Sequence, residues 1–242
     1  MLVAVWAASA NGCAIPIIGA PRRDATPQRA AVGHPSLGRA WPGMARHAAA
    51  SMRQPEACYA ELEAAHAAFE RVAPGQALGV QMPARLLGPI GGITVLPRDG
   101  RQLHAILDCR LALALLSWAP TLRQAGVTSI DHYSIYRPGA HVHGSGHVSG
   151  HARGLAIDAA RFHLQSGAVL DVLTDWEERE HGSAPCPRRP EEAWQSRLLR
   201  GVVCDAVQHN LFQIVITPHH DRAHGNHVHL ELKPEVSWTY VR

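Results

Sequence analysis

The feature that most constrains this chain is an alternation near its C-terminus, His227-Val228-His229-Leu230-Glu231. Successive side chains on a strand point to opposite faces, so His227, His229 and Glu231 share one face while Val228 and Leu230 turn into a core. The upstream segment Gly154-Leu155-Ala156-Ile157-Asp158 obeys the same rule. There Asp158 shares a face with Ala156, and Leu155 and Ile157 lie opposite. Two strands of this kind are steered to pair with their apolar faces on one side, which brings Asp158 toward His229. His151, just ahead of Gly154, can fold back as a third ligand. Two imidazoles and one carboxylate make a standard catalytic zinc set with the fourth position open, so Zn2+ is the expected cofactor. A closed structural site would use four protein ligands, often cysteines, and none is nearby in sequence.

Composition supports metal chemistry over the alternatives. The chain holds 17 histidines in 242 residues, concentrated between His132 and His229, and histidine is the commonest side-chain metal ligand. The net charge is only +3, and of 23 basic residues Lys233 alone is lysine. Arginines do not cluster with interleaved aromatics, which argues against nucleic acid as a partner. None of the five cysteines lies in a CxxC pair. With Cys13 set aside, Cys58, Cys109, Cys186 and Cys204 fit either two disulfides in an oxidising compartment or buried free thiols.

Three regions follow from patterning. Residues 1–20 are apolar and end in small residues, as a signal or lipoprotein segment would, although a basic n-region is missing. Residues 21–54 are rich in Pro, Gly, Ala and Arg without periodicity and read as a flexible linker. Residues 55–242 form the domain, long enough to bury a core. No run reaches the ~18–20 apolar residues of a bilayer span. Membrane contact is therefore expected only through an N-terminal anchor, and the location is expected to be periplasmic or extracellular.

Within the domain, Cys58, Leu62, Ala65 and Phe69 predict an amphipathic helix over 56–72. Short strands or irregular loops are expected between Gly75 and Asp99. The run from His104 to Gly126 reads as a buried central helix that Pro120 ends or kinks. Strand patterns recur over 127–136, 154–160, 167–176, 211–217 and 226–232. A helix over 190–209 would start at Pro190 with Glu191 and Glu192 in its first turn. Helices and short strands in irregular order predict an α+β fold, a small antiparallel sheet flanked by helices.

Taken together, Ser149-x-His151-x6-Asp158 and His227-x-His229, with Arg137 in a Tyr-Arg-Pro turn between them and the domain's start, resemble the zinc motif of LAS-type peptidases. That group includes D-Ala-D-Ala carboxypeptidases, murein endopeptidases and hedgehog-like domains. Within it the chain is most similar to the bacterial extensin-like C-terminal domain family. The segments CYAEL, LDCRLALALLSW, SIYR, SGHARGLAIDAARF and HGNHVHLEL carry the likeness over roughly 55–235. The resemblance implies a LAS/hedgehog-like peptidase fold in which His151, Asp158 and His229 hold zinc. It implies that Arg137 holds a developing oxyanion or a substrate carboxylate, that Ser149 orients the His151 loop or touches substrate, and that His227 serves as base or transition-state stabiliser. His224 and Asn226 would stand behind these groups. Two positions depart from the pattern. Asn226 stands where the dipeptidase branch has its general-base glutamate, which leaves His227 or Glu231 for that work, and Gly150 stands where relatives often carry Glu. The implied function is zinc-dependent hydrolysis of amide bonds in peptidoglycan stem peptides or cross-bridges; the alternative is a non-catalytic, zinc-stabilised wall-binding module. His141, His143 and His147 sit in a Gly-rich loop and are expected to be solvated.

Overall fold

A nine-residue strand, β6 (Ala156–Leu164), organises the sheet. The computed structural model describes residues 55–177, 184–186, 189 and 191–242. The expected signal segment 1–20, the linker 21–54 and Pro190 lie outside them. The first half of β6 pairs antiparallel with β9 (Val228–Glu231), and its second half pairs with β7 (Val169–Asp171). Its other edge pairs antiparallel with β5 (Val127–His132). Beyond β9 come β8 (Ile214–Ile216), antiparallel to it, and then β10 (Tyr240–Val241), parallel to β8. Beyond β5 comes β3 (Thr94–Pro97), in parallel register. The result is a seven-stranded mixed sheet, larger than the small antiparallel one expected and parallel at its two edges. A second, three-stranded sheet holds β1 (Phe69–Arg71), β2 (Pro83–Leu86) and β4 (Ile106–Asp108) in the order β1-β2-β4. The fold is α+β.

The main helix, here α2 (Cys109–Gln124), follows α1 (Pro55–Ala64) in the chain and is capped by Asp108, whose carboxylate accepts from the Arg110 N–H. Its Trp118 is fully buried, edge-on to Phe162 of β6 and to Phe212, at 6.2 and 5.9 Å. The Trp118 indole donates to the Val202 carbonyl of α4 (Trp194–Gln208) at 2.9 Å, so one side chain ties both long helices to the sheet. Ile157, Ala159, Val228 and Leu230 belong to this same core. Their strands therefore turn the alternate residues, Asp158 and His229, to the opposite face. The short helix α3 (Val172–Asp175) follows β7 directly.

Several boundaries differ from the sequence reading. Helix α1 stops at Ala64, where His66 takes a left-handed φ of 55°, and Phe69 lies on β1 instead. Phe69 stays apolar because it stacks on Tyr59, which reproduces helical spacing without a helix. Ile106–Asp108 forms a strand rather than the first turn of α2. Pro120 does not end α2, which runs on to Gln124. An interior proline costs a helix ~3 kcal/mol; burial of Trp118, Ala119 and Leu122 on either side offsets it. Helix α4 starts at Trp194, and Glu192, expected in its first turn, is a buried partner of Arg200 at 3.4 Å.

Both disulfides form: Cys58–Cys109 joins α1 to α2, and Cys186–Cys204 joins a loop to α4. Closing 51 residues constrains the unfolded chain by about 4 kcal/mol in the chain-entropy account. Such cross-links point to a non-cytoplasmic location. Among the described residues no helix is long and apolar enough to cross a membrane.

Candidate metal centre

The register of β6 and β9 sets Asp158 directly opposite His229. The third group arrives from a short 3-10 turn, Gly150–Arg153. Ser149 caps this turn, its hydroxyl accepting from the His151 N–H at 3.3 Å. Gly154 closes it in the left-handed region at φ 63°, where a Cβ would also stand 2.9 Å from the Asp108 backbone nitrogen. The chain then enters β6, with the His151 ring folded back onto Asp158.

Three ligand atoms converge. His151 Nε2 and His229 Nδ1 each lie 3.0 Å from Asp158 Oδ1, and 3.2 Å from each other. All three residues are buried, with exposures of 1% for His151, 4% for Asp158 and 7% for His229. The far side of each group is also held. His151 Nδ1 donates to the Ile135 carbonyl at 2.8 Å, and Asp158 Oδ2 accepts from the Ser134 hydroxyl at 3.1 Å. His229 Nε2 donates to Glu231 Oε2 at 3.1 Å. Zinc arms of ~2.0–2.1 Å at tetrahedral angles place ligand atoms ~3.3 Å apart. The observed spacings fit that edge, and the donor chemistry fits zinc. His151, Asp158 and His229 are therefore a possible metal-binding triad, the one such group among the described residues.

Electrostatics follow from this packing. Burial pushes the His151 imidazole down and keeps it neutral. Burial also works to raise the Asp158 carboxyl, but the rings of His151, His227 and His229 gathered around it hold it well below the usual carboxylate range. Burial opposes charge on His229 too, yet its bonds to Asp158 and Glu231 outweigh that and push it up to about 9. Without metal, the triad thus holds one ionised carboxylate and one imidazolium.

The remaining expected residues surround the triad. His227 Nε2 stands 3.4 Å from Asp158 Oδ1, the oxygen that His151 and His229 also face. Its Nδ1 lies 2.7 Å from Asn226 Oδ1, and the Tyr133 ring meets it edge-on at 5.9 Å. Arg137 reaches to 3.9 Å from Asp158 Oδ2 with its side chain half exposed, and its backbone N–H donates to the His151 carbonyl. His224 bonds Asp221 at 2.7 Å, its ring 5.2 Å from that of His227, and burial pushes it down. Glu231, the alternative base, is engaged by His229 and by Lys233 at 3.4 Å. His141, His143 and His147 are exposed on a turn pinned by the His141–Val148 bridge.

Sequence reasoning missed Ser134, the Ile135 carbonyl and the bond from His229 to Glu231. A signal for the first two exists. The Tyr133 N–H donates to the Asp158 carbonyl and the Asp158 N–H to the Ser134 carbonyl, so extending the β5–β6 pairing past His132 places Ser134 beside Asp158.

Among curated proteins and among solved structures, nothing matches the chain. The family described as Extensin-like protein C-terminus matches residues 56–242, the whole of the domain that carries the triad, and the chain belongs to that family.

Proposed function

We propose that this domain is a zinc-dependent hydrolase of amide bonds in peptidoglycan stem peptides or cross-bridges, of the LAS type, working in the periplasm or outside the cell. One observation carries the reading: the triad's ligand atoms share a buried focus with His227 Nε2 on its rim and the Arg137 guanidinium beside it. A divalent ion held there supplies Lewis acidity to a scissile carbonyl and makes water acidic enough to attack near neutral pH. Asn226 Oδ1 meets the His227 Nδ1 and aims Nε2 at the ligand focus, 3.4 Å from Asp158 Oδ1, the position from which this ring can take a proton from water and return it to the leaving amine. Arg137, always charged and half exposed, meets negative charge developing on the carbonyl oxygen or a substrate carboxylate. Ser149 holds the turn that carries His151.

The alternative, a wall-binding module that uses zinc for stability, is favoured by Asn226, which cannot act as the glutamate base of the dipeptidase branch. Digestion of purified sacculi, with product masses determined, separates the two. Zinc-loaded wild type is expected to release peptide fragments. His227→Ala is expected to bind zinc within a few-fold of wild type and to cleave ~10²–10⁴-fold more slowly. A zinc-loaded wild type that binds sacculi and releases nothing leaves the module reading.

A further inference from the structure

Glu231 is the third residue on the ligand face of β9, and it is buried, 5% exposed as a residue. A charge taken out of water must be paired and bonded to be tolerated. Its partners are His229 Nε2 at 3.1 Å and Lys233 Nζ at 3.4 Å, one on each oxygen. The room for this carboxylate comes from another part of the site. A Cβ built on Gly150 would stand 2.5 Å from Glu231 Cδ and 2.6 Å from its Cγ. Gly150 is absent from the glycines with positive φ, so its backbone conformation does not by itself demand glycine. What demands it is the Glu231 side chain.

An imidazole can offer either nitrogen to a metal, and the bond made by the other nitrogen decides which. For His151 the Ile135 carbonyl makes that choice. We propose that Glu231 and Gly150 act as one positioning unit for His229: the carboxylate fixes the ring with Nδ1 toward the ligand focus, and the missing side chain at 150 lets it sit there. The turn that delivers the first histidine ligand thereby also leaves the space for the group that aims the second. This rests on the metal-site reading and is independent of hydrolysis.

The test is zinc affinity by chelator competition, with the visible absorption of the cobalt-substituted protein as a second readout of ligand geometry. Glu231→Ala is expected to weaken zinc ~10–100-fold and to change the cobalt spectrum. Glu231→Gln, whose amide oxygen still accepts from Nε2–H, is expected to recover most of the affinity. Gly150→Ala is expected to match Glu231→Ala, because the new methyl group displaces the carboxylate. In the Glu231→Ala background Gly150→Ala is expected to add nothing, the non-additivity of residues acting together. Unchanged affinity and spectrum in Glu231→Ala, or a full additive cost in the double variant, would overturn the proposal while sparing the metal site. Should Glu231→Ala not fold, wild-type affinity in Gly150→Ala overturns it equally. A wild-type chain that takes up no zinc removes the metal reading and this proposal together.

Discussion

The His-rich loop 141–147 and His151, four residues beyond it, behave in opposite ways. His141, His143 and His147 lie exposed on a turn, where the His141 ring meets the Gly139 carbonyl of the same loop. His151, in contrast, is 1% exposed, donates one ring N–H to the Ile135 carbonyl and sets its other nitrogen 3.0 Å from the Asp158 carboxylate. His132 completes the comparison. It is fully buried, like the triad, but neither ring nitrogen has a hydrogen-bond partner among the described residues. Histidine content therefore does not mark the site, and neither does burial. What distinguishes the triad is that both sides of every group are engaged.

The largest expected effect comes from removing the atom all three histidines of the site face. Asp158→Ala should abolish zinc uptake. It should also cost the metal-free chain ~3–5 kcal/mol, because a buried imidazolium loses its principal partner. Metal stoichiometry and urea unfolding measure the two effects. Full zinc occupancy in this variant would mean that the ligands lie elsewhere and the comparison is mistaken.

His132 sharpens the contrast between burial and engagement. Burial pushes its imidazole down to about 4. A histidine depressed in the fold contributes stability above its unfolded pKa of 6.5 and loses it as pH falls toward the folded value. The metal-free chain should lose roughly 3 kcal/mol between pH 6.5 and 4 through this residue, at 1.4 kcal/mol per unit. His151 and His224, also pushed down, act in the same direction. Urea midpoints across that range should flatten in His132→Gln; an unchanged slope would show that His132 is hydrated in solution.

How much of this was legible in the sequence depended on how local the cause was. The β9 alternation was enough to place Val228 and Leu230 in the core and to bring His229 opposite Asp158, because period two is a property of the backbone. Phe69 misled because helical spacing and a cross-element stack on Tyr59 call for the same residue type. Ile106–Asp108 misled because Ile and Leu suit a buried strand as well as a buried helix. Ser134 and the Ile135 carbonyl were silent, since their roles depend on how far β5 runs beside β6. Glu231 was placed on the right face, but its bond to His229 depends on a ring orientation that no spacing encodes.

His229 carries the opposite sign to His132. Raised to about 9 in the fold, it contributes stability to the metal-free chain that is complete below pH 6.5 and lost as pH rises through 9. On the proposed metal reading, zinc would take the Nδ1 that carries the proton, so uptake would release one proton across this range. With Asp158 ionised and His151 already neutral, the affinity should rise about tenfold per pH unit, or roughly a hundredfold from pH 7 to 9. Metal-free stability and zinc affinity should thus move in opposite directions with pH. Competition titrations at several pH values test this, and a flat affinity would mean that His229 is neutral before metal arrives.

The smallest effect is expected from the three histidines of the Gly-rich loop, His141, His143 and His147. Gly139, Gly144 and Gly146 give their loop its left-handed corners, and the Val142 N–H bond to the His147 carbonyl closes the turn without any imidazole. Among the described residues no hydrogen bond or ion pair joins these side chains to the triad, so replacing them leaves every ligand and every outer partner in place. The combined variant His141→Ala, His143→Ala, His147→Ala should keep one zinc per chain with affinity within about twofold, since exposed substitutions away from such features shift energies by less than ~0.5 kcal/mol. A drop in stoichiometry would show that the loop closes onto the centre and donates a ligand. The distinction drawn between engaged and solvated histidines would then hold only for the metal-free chain.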